Sequence, residues 1–372
     1  MSDVLRIAQV SPYGLDRYGG VRSHILGLGE ALAVRGHRVD VVAPGADGML
    51  GSLPVIGCGE ARAIHFGGTH FDLTWASAQS LNRVAAREYD IVHLHTPWTP
   101  AMPLQLATRF RGRGFVGARV GTFHDVASAT TPRLARVLMP FASALIRRNV
   151  LHATIAVSPS VSAYLGKGTH DLIPNGVSLP VSLHTAQPTA GPPPILYLGR
   201  LEPRKDVATL LRAFALLGEE RPPLWIVGDG PSRPELEQLR DDLALTSVTF
   251  SGAVSEHEKW TRLQQAACLV APSRAGESFG IVLLEAMISG TLPIAADNPG
   301  YRDVLGAGGE SLLYPPGDAE ALAARIRRAV HDRPWQQAMS EWCSDRVTAF
   351  TWAQIATRVE STYLRALARA RA

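Results

Sequence analysis

Cysteine is scarce in this chain: Cys58, Cys268 and Cys343 are the only three, odd in number and far apart. That excludes a disulfide scaffold and a CxxC zinc site, and it fits a reducing compartment. No uncharged apolar run of 18 residues occurs, so no transmembrane helix is predicted. Residues 1–20 carry charge at Asp3, Arg6, Asp16 and Arg17 with no apolar core between, so no signal peptide is predicted and a cytoplasmic location is the expectation. A Walker A sequence is missing, which removes the P-loop kinases. An excess of one charge is missing too: 37 Lys and Arg face 33 Asp and Glu. The net charge of +4 is too small and scattered for a nucleic-acid partner, but leaves room for an anionic small molecule. Apolar material is plentiful, at 46% of 372 residues. Two cores are expected, because single cores stop growing beyond roughly 250–300 residues.

Short β-branched runs alternate with helical periodicity along the first half. Strands are predicted at 4–10, 39–43, 90–95, 119–123 and 153–157, and helices at 20–35, 76–88, 99–110 and 133–148. Residues 177–194 lapse into Pro, Ser, Thr, Gln and Gly, the composition of a linker. The alternation then restarts, with strands at 195–198, 224–227, 248–250, 268–271 and 292–295 and helices at 206–217, 232–243, 256–266 and 280–289. From 318 onward the pattern is helical throughout. Such alternation predicts parallel, doubly wound α/β sheets. The reading divides the chain into Rossmann-like domains at 1–180 and 193–350, facing each other across a ligand cleft, with a final helix at 351–372 packing back towards the first.

The densest cluster of functional residue types is Gly276-Glu-Ser-Phe-Gly-Ile-Val-Leu-Leu-Glu285. If helical, the spacing of Glu277 and Glu285 spans ~12 Å, too far for the ~5–9.5 Å carboxylate pair of a glycosidase. The two acids are therefore expected to touch different parts of one elongated ligand. The amides of Phe279, Gly280 and Ile281, beside Ser278, would head a helix and receive phosphate oxygens. Arg200 follows the first strand of the second domain and Lys205 comes five residues later, cations suited to a departing diphosphate. In the first domain Gly19-Gly20 opens a helix, and His124 ends a strand.

Taken together, Glu277 to Glu285 (E-x7-E), Arg200 to Lys205 (GR-x4-K), Pro174-Asn-Gly-Val177 and Gly19-Gly20-Val21 resemble the GT4 family of retaining glycosyltransferases with the GT-B fold. Within it, Ser11-Pro-Tyr13, Gly19 to His24 and Gly36-His37 are most similar to bacterial phosphatidyl-myo-inositol mannosyltransferases. The resemblance implies that Glu277 reaches the donor sugar, Glu285 the ribose hydroxyls, Arg200 and Lys205 the diphosphate, and His124 the sugar near the reaction centre. Tyr13 and Arg22 fall on the acceptor side, and Arg22 stands where that group has Gln. The implied partners are a GDP- or UDP-linked sugar, with Ser255 standing where an acid would help read guanine, and a sugar, lipid or small-molecule acceptor. No further cofactor is implied.

Asp-x-Asp, the clamp of metal-dependent sugar transferases, does not occur, and His93 and His95 lack a third ligand at fixed spacing, so no metal is expected. Gly276-Glu-Ser-Phe-Gly280 also satisfies G-x-S-x-G, with Asp303 or Asp318 and His331 following, which leaves a serine hydrolase using Ser278 as the competing class. The segment 133–148 is basic at both ends and apolar between, which predicts at most a weak, salt-sensitive membrane contact, with Pro140 kinking or breaking the helix.

Overall fold

The structure, a computed structural model, describes residues 4–15, 19–66, 69–97, 102–110, 116–124, 133–179, 187, 191–218 and 221–372. It divides into two compact units, Met1–Gly176 with Trp352–Ala372, and Val177–Thr351. Most of the predicted linker, 180–186 and 188–190, lies outside the described residues.

The first unit runs β1 (Arg6–Val10), α1 (Gly20–Val34), β2 (Arg38–Ala43), β3 (Gly48–Leu50), β4 (Leu53–Gly57), β5 (Glu60–Phe66), β6 (Thr69–Trp75), α2 (Ala78–Ala85), β7 (Ile91–His95), α3 (Met102–Arg109), β8 (Ala118–Phe123), α4 (Arg133–Asn149), β9 (Ala153–Ala156), α5 (Pro159–Leu165) and β10 (Asp171–Leu172). Its eight-stranded sheet has the order β10-β9-β8-β7-β1-β2-β4-β3, parallel except where β3 meets β4. The order reverses between β1 and β7, which makes the carboxyl ends of these strands a topological switch point. The four strands β3 to β6 were not expected. They are antiparallel hairpins, which a search for strand–helix alternation passes over, although alternating runs on either side of Gly67-Gly68 carry a hairpin signal. Helix α4 runs through Pro140 rather than breaking there, at the loss of one backbone donor.

The second unit runs β11 (Ile195–Leu198), a 3-10 turn (Pro203–Lys205), α6 (Val207–Ala215), β12 (Leu224–Val227), α7 (Arg233–Asp242), β13 (Val248–Gly252), α8 (Glu256–Gln265), β14 (Cys268–Ala271), α9 (Ile281–Ile288), β15 (Leu292–Ala296), α10 (Pro299–Leu305), a second 3-10 turn (Glu310–Leu312), β16 (Leu313–Tyr314), α11 (Ala319–His331) and α12 (Arg333–Thr348). Its six strands, all parallel, have the order β13-β12-β11-β14-β15-β16, so its switch point lies between β11 and β14. The central strands β14 and β15 are buried throughout, as a covered parallel sheet requires, while the edge strand β13 is partly exposed.

Helix α13 (Trp352–Arg371) belongs to the first unit, where Ile355, Val359 and Tyr363 share a core with Ile7, Ile25 and Val120. Trp352 anchors it. A Cβ on Gly27 would lie 2.1 Å from the indole and one on Gly176 2.4 Å, so both glycines are what lets the ring approach. The three cysteines are buried and free.

Candidate functional site

In the second unit the chain leaving β11 forms a tight loop. Tyr197 donates its hydroxyl to the Arg200 carbonyl at 2.8 Å, and the Leu201 amide donates to the Asp229 carbonyl at 2.9 Å. A Cβ on Gly228 would sit 1.9 Å from the Gly199 carbonyl, so the loops after β11 and β12 can cross only at a glycine. The loop aims Lys205 and Arg204 at the chain leaving β14. Lys205 Nζ reaches Glu277 Oε1 at 2.6 Å, and Arg204 reaches the same oxygen at 2.9 Å. Arg200 pairs at 2.9 Å with Glu202, which also holds Arg204 at 2.9 Å.

Glu277 is 11% exposed, and burial alone would raise its pKa; Lys205 and Arg204 outweigh that and hold the carboxyl ionised, with its pKa below the usual range. The segment is clamped from α10. A Cβ on Gly300 would lie 2.2 Å from the Glu277 carbonyl oxygen, Asn298 donates to the Ser273 carbonyl at 2.8 Å, and Tyr301 donates to Ser273 Oγ at 3.0 Å. Gly280, at φ 98, then turns the chain into α9, whose first amides have no intrahelical acceptor. Phe279 points into the core near Phe350, so only its backbone faces the turn.

Glu285 lies in the second turn of α9. Burial pushes its carboxyl up, against the opposing pull of Lys259, which reaches it at 2.9 Å and Glu256 at 2.8 Å. The sequence reading missed Arg204 and Lys259. Nothing in local spacing ties either to the site, because the pairs that do so, with Glu277 and Glu285, come from distant parts of the chain.

The hydrolase constellation is not assembled. Ser278 lies in the loop well beyond the end of β14, and Asp318 caps α11 by accepting from the Ala321 amide at 2.9 Å. Among the described residues no histidine hydrogen-bonds Ser278. A nucleophile elbow needs both the strand-to-helix turn and the base.

The first unit brings buried histidines together at its own switch point. His95 closes β7, His124 follows β8, and His24 comes from α1. Their ring nitrogens lie within 4.8 Å of one another, a group the spacing of His93 and His95 could not reveal. His24 Nδ1 faces Asn175 Oδ1 at 2.7 Å, and His95 Nδ1 faces His124 Nε2 at 3.0 Å. Two nitrogens bound tetrahedrally to zinc at ~2.0–2.1 Å stand about 3.3 Å apart, so the 3.0 Å contact fits a shared proton better than a shared metal. Burial lowers the pKa of all four imidazoles, His24 to about 4 and His93 to about 3, so they are neutral at pH 7. Nearby, Gly19 precedes α1 in an extended conformation with open space around it, and Arg22 donates to the Leu15 carbonyl at 2.8 Å. Tyr13 is half-buried, its amide held by Ser11 Oγ at 3.3 Å.

Residues 18–180 match the family described as Glycosyltransferase Family 4, and residues 185–342 match Glycosyl transferases group 1. A phosphatidyl-myo-inositol mannosyltransferase of Mycolicibacterium smegmatis is 33% identical over 96% of this chain and 93% of that protein. The chain belongs to glycosyltransferase family 4. The chain is also similar to a glycogen synthase of Mycobacterium tuberculosis, 26% identical over 94% of the chain and 91% of that protein. Among solved structures, sucrose-phosphate synthase from Thermosynechococcus elongatus superposes with TM-score 0.76 at 26% identity, covering 98% of this chain and 99% of that one. An Anabaena protein solved with UDP and glucose superposes at 0.74 with 20% identity, covering 96% and 99%. The fold of this glycosyltransferase is therefore GT-B, with two Rossmann-like units. Among the described residues no helix is long and apolar enough to cross a membrane.

Proposed function

We propose that this glycosyltransferase is a retaining, metal-independent hexosyltransferase. It moves a hexosyl unit, mannosyl in first place, from a nucleoside diphosphate sugar to a hydroxyl of a lipid or glycan acceptor. The observation that carries the reading is the convergence of Lys205 and Arg204 on Glu277 at the switch point of the second sheet. Without donor the two cations neutralise Glu277. A bound diphosphate offers them a stronger partner and frees the carboxylate to accept hydrogen bonds from sugar hydroxyls. Arg200, half exposed and paired with Glu202, turns to the same phosphates. The amides around Gly280 and Ile281 add the positive end of α9, with Ser278 beside them. Glu285, with Lys259 on one oxygen, offers the other to the ribose.

Charge growing on the leaving diphosphate is stabilised by these preorganised groups. The acceptor oxygen bonds to the anomeric carbon on the face the diphosphate leaves, and the leaving phosphate oxygen takes the acceptor proton. In the first unit, His124 is assigned to the transferred sugar, Gly19 and Gly20 to close backbone approach, and Tyr13 and Arg22 to the acceptor. Mannosyl transfer is favoured by relatives of that name at 33% and 32% identity.

One observation favours a UDP-linked donor and a small soluble acceptor as the second reading. Ser255 caps α8, accepting from the Glu258 amide at 3.2 Å, and supplies no acid to read guanine. Proton NMR of reactions with GDP-mannose and UDP-glucose tests the proposal. An α-linked product formed first from an α-linked donor supports retention; a β-linked first product overturns it.

A further inference from the structure

His124 sits at one end of a hydrogen-bond chain buried under the first unit's switch point. His124 Nε2 and His95 Nδ1 are 3.0 Å apart, and His95 Nε2 and Gln9 Oε1 are 2.5 Å apart. Gln9 Nε2 donates to the Tyr363 hydroxyl at 3.3 Å, that hydroxyl lies 2.7 Å from His93 Nδ1, and His93 Nε2 lies 2.6 Å from Thr122 Oγ1. A neutral imidazole carries one N–H and one lone pair, so each ring passes on the direction of the bond it makes. The three bonds from His124 through His95 and Gln9 to Tyr363 must therefore all run one way or all the other, whereas the Tyr363 hydroxyl can accept from Gln9 and either donate to or accept from His93. Gln9 decides which, because its amide has a carbonyl at one end and donors at the other. Its oxygen faces His95 and its nitrogen faces Tyr363.

We propose that Gln9, acting through His95, is a positioning residue that fixes the tautomer of His124, with the proton on Nε2 and the lone pair on Nδ1. His95 Nε2–H donates to Gln9, so His95 Nδ1 must accept, and among the described residues the donor placed to reach it is His124 Nε2–H. His124 Nδ1 has no partner among the described residues and is left as an acceptor. A ligand group meeting it must then be a hydrogen-bond donor, as a sugar hydroxyl is and a carbonyl, ring oxygen or phosphate oxygen is not. Every member of the chain is buried, so water does not scramble the direction, and aligned bonds in such surroundings reinforce one another. The lowered pKa values support the same picture, since an imidazolium would donate at both nitrogens and break the relay. Tyr363 extends the control to α13. The consequence for the substrate rests on His124 meeting the transferred hexose, whereas the tautomer itself does not.

Nitrogen-15 NMR of histidine-labelled protein, without any ligand, separates the two. In the wild type, His124 and His95 are expected as Nε2–H tautomers with bare Nδ1 at pH 7. His124 protonated on Nδ1 would mean that the chain runs in reverse, and would overturn the proposal. A metal shared by His24, His95 and His124 would overturn it as well, by engaging the His95 lone pair. In Gln9→Leu, His95 loses its acceptor and its proton is expected to move to Nδ1, flipping His124 to Nδ1–H. A Gln9 that merely fills space would leave the tautomer unchanged. With a working donor, the same variant should lower kcat/KM about 3- to 10-fold, the equivalent of one neutral hydrogen bond. A tautomer flip with unchanged kcat/KM would overturn the substrate consequence alone.

Discussion

Lys205 Nζ lies 2.6 Å from Glu277 Oε1, although the two residues are 72 positions apart in the chain. Both side chains are mostly buried, so each charge depends on the other, and on Arg204, for its neutralisation. The pair also stores a cation at the place where a leaving diphosphate would develop charge. Lys205→Ala should therefore lower turnover more than donor affinity, because the charge it meets is largest in the transition state. The expected fall in kcat is about 10²- to 10³-fold, as for loss of one preorganised donor. Steady-state kinetics beside a donor titration would show it, and near-wild-type turnover in both Lys205→Ala and Arg204→Ala would contradict the diphosphate assignment.

Gly280→Ala tests the turn that delivers Glu277. The backbone there has φ 98, and a Cβ would lie 2.5 Å from Tyr301 Cδ1, so strain and overlap act together. Tyr301 is fixed at both ends by Asn298 and Ser273 and has nowhere to retreat. A loss of about 1–3 kcal/mol is expected, read as a lower denaturant midpoint at unchanged slope. A midpoint equal to wild type would show that the turn relaxes freely.

Stability should fall with acid through the buried imidazoles. His24 and His93 have folded pKa values of about 4 and about 3, below the unfolded value of 6.5, so the unfolded chain binds more protons between these limits. Their contribution is complete above pH 6.5 and shrinks as pH falls towards 4, by up to about 1.4 kcal/mol per pH unit for each ring. Urea unfolding between pH 7.5 and 4.5 measures the slope. A flat profile across pH 6.5 to 5 would mean that these rings are hydrated or charged in the native state.

Activity should survive excess EDTA. Asp-x-Asp is missing, and on the proposed reading the side chains of Lys205 and Arg204, which converge on Glu277, meet the phosphates in place of a divalent cation. Activity lost on chelation and restored by Mg²⁺ or Mn²⁺ would contradict this.

What the sequence made legible was local. The strand–helix alternation, the Glu277 to Glu285 spacing and the Lys205 position each lie within one element and its loop, so periodicity and helix geometry expose them. Arg204 and Lys259 were invisible because their partners, 73 and 26 residues away, are set by which strands become neighbours. The joining of His24, His95 and His124 needs the order of β1, β7 and β8, which no spacing states. Helix α4 persists through Pro140 because a single residue's backbone loss does not decide a 17-residue element.

On the proposed function, the second unit holds a nucleoside diphosphate through Lys205 and its neighbours. Thermal unfolding of wild type and Lys205→Ala with GDP, UDP, ADP and their sugars tests it most directly. A nucleotide present at 100 times its dissociation constant stabilises by about 2.7 kcal/mol, so one base should raise the wild-type midpoint, and the rise should shrink in Lys205→Ala. No shift with any nucleotide, or an equal shift in both proteins, would contradict the account.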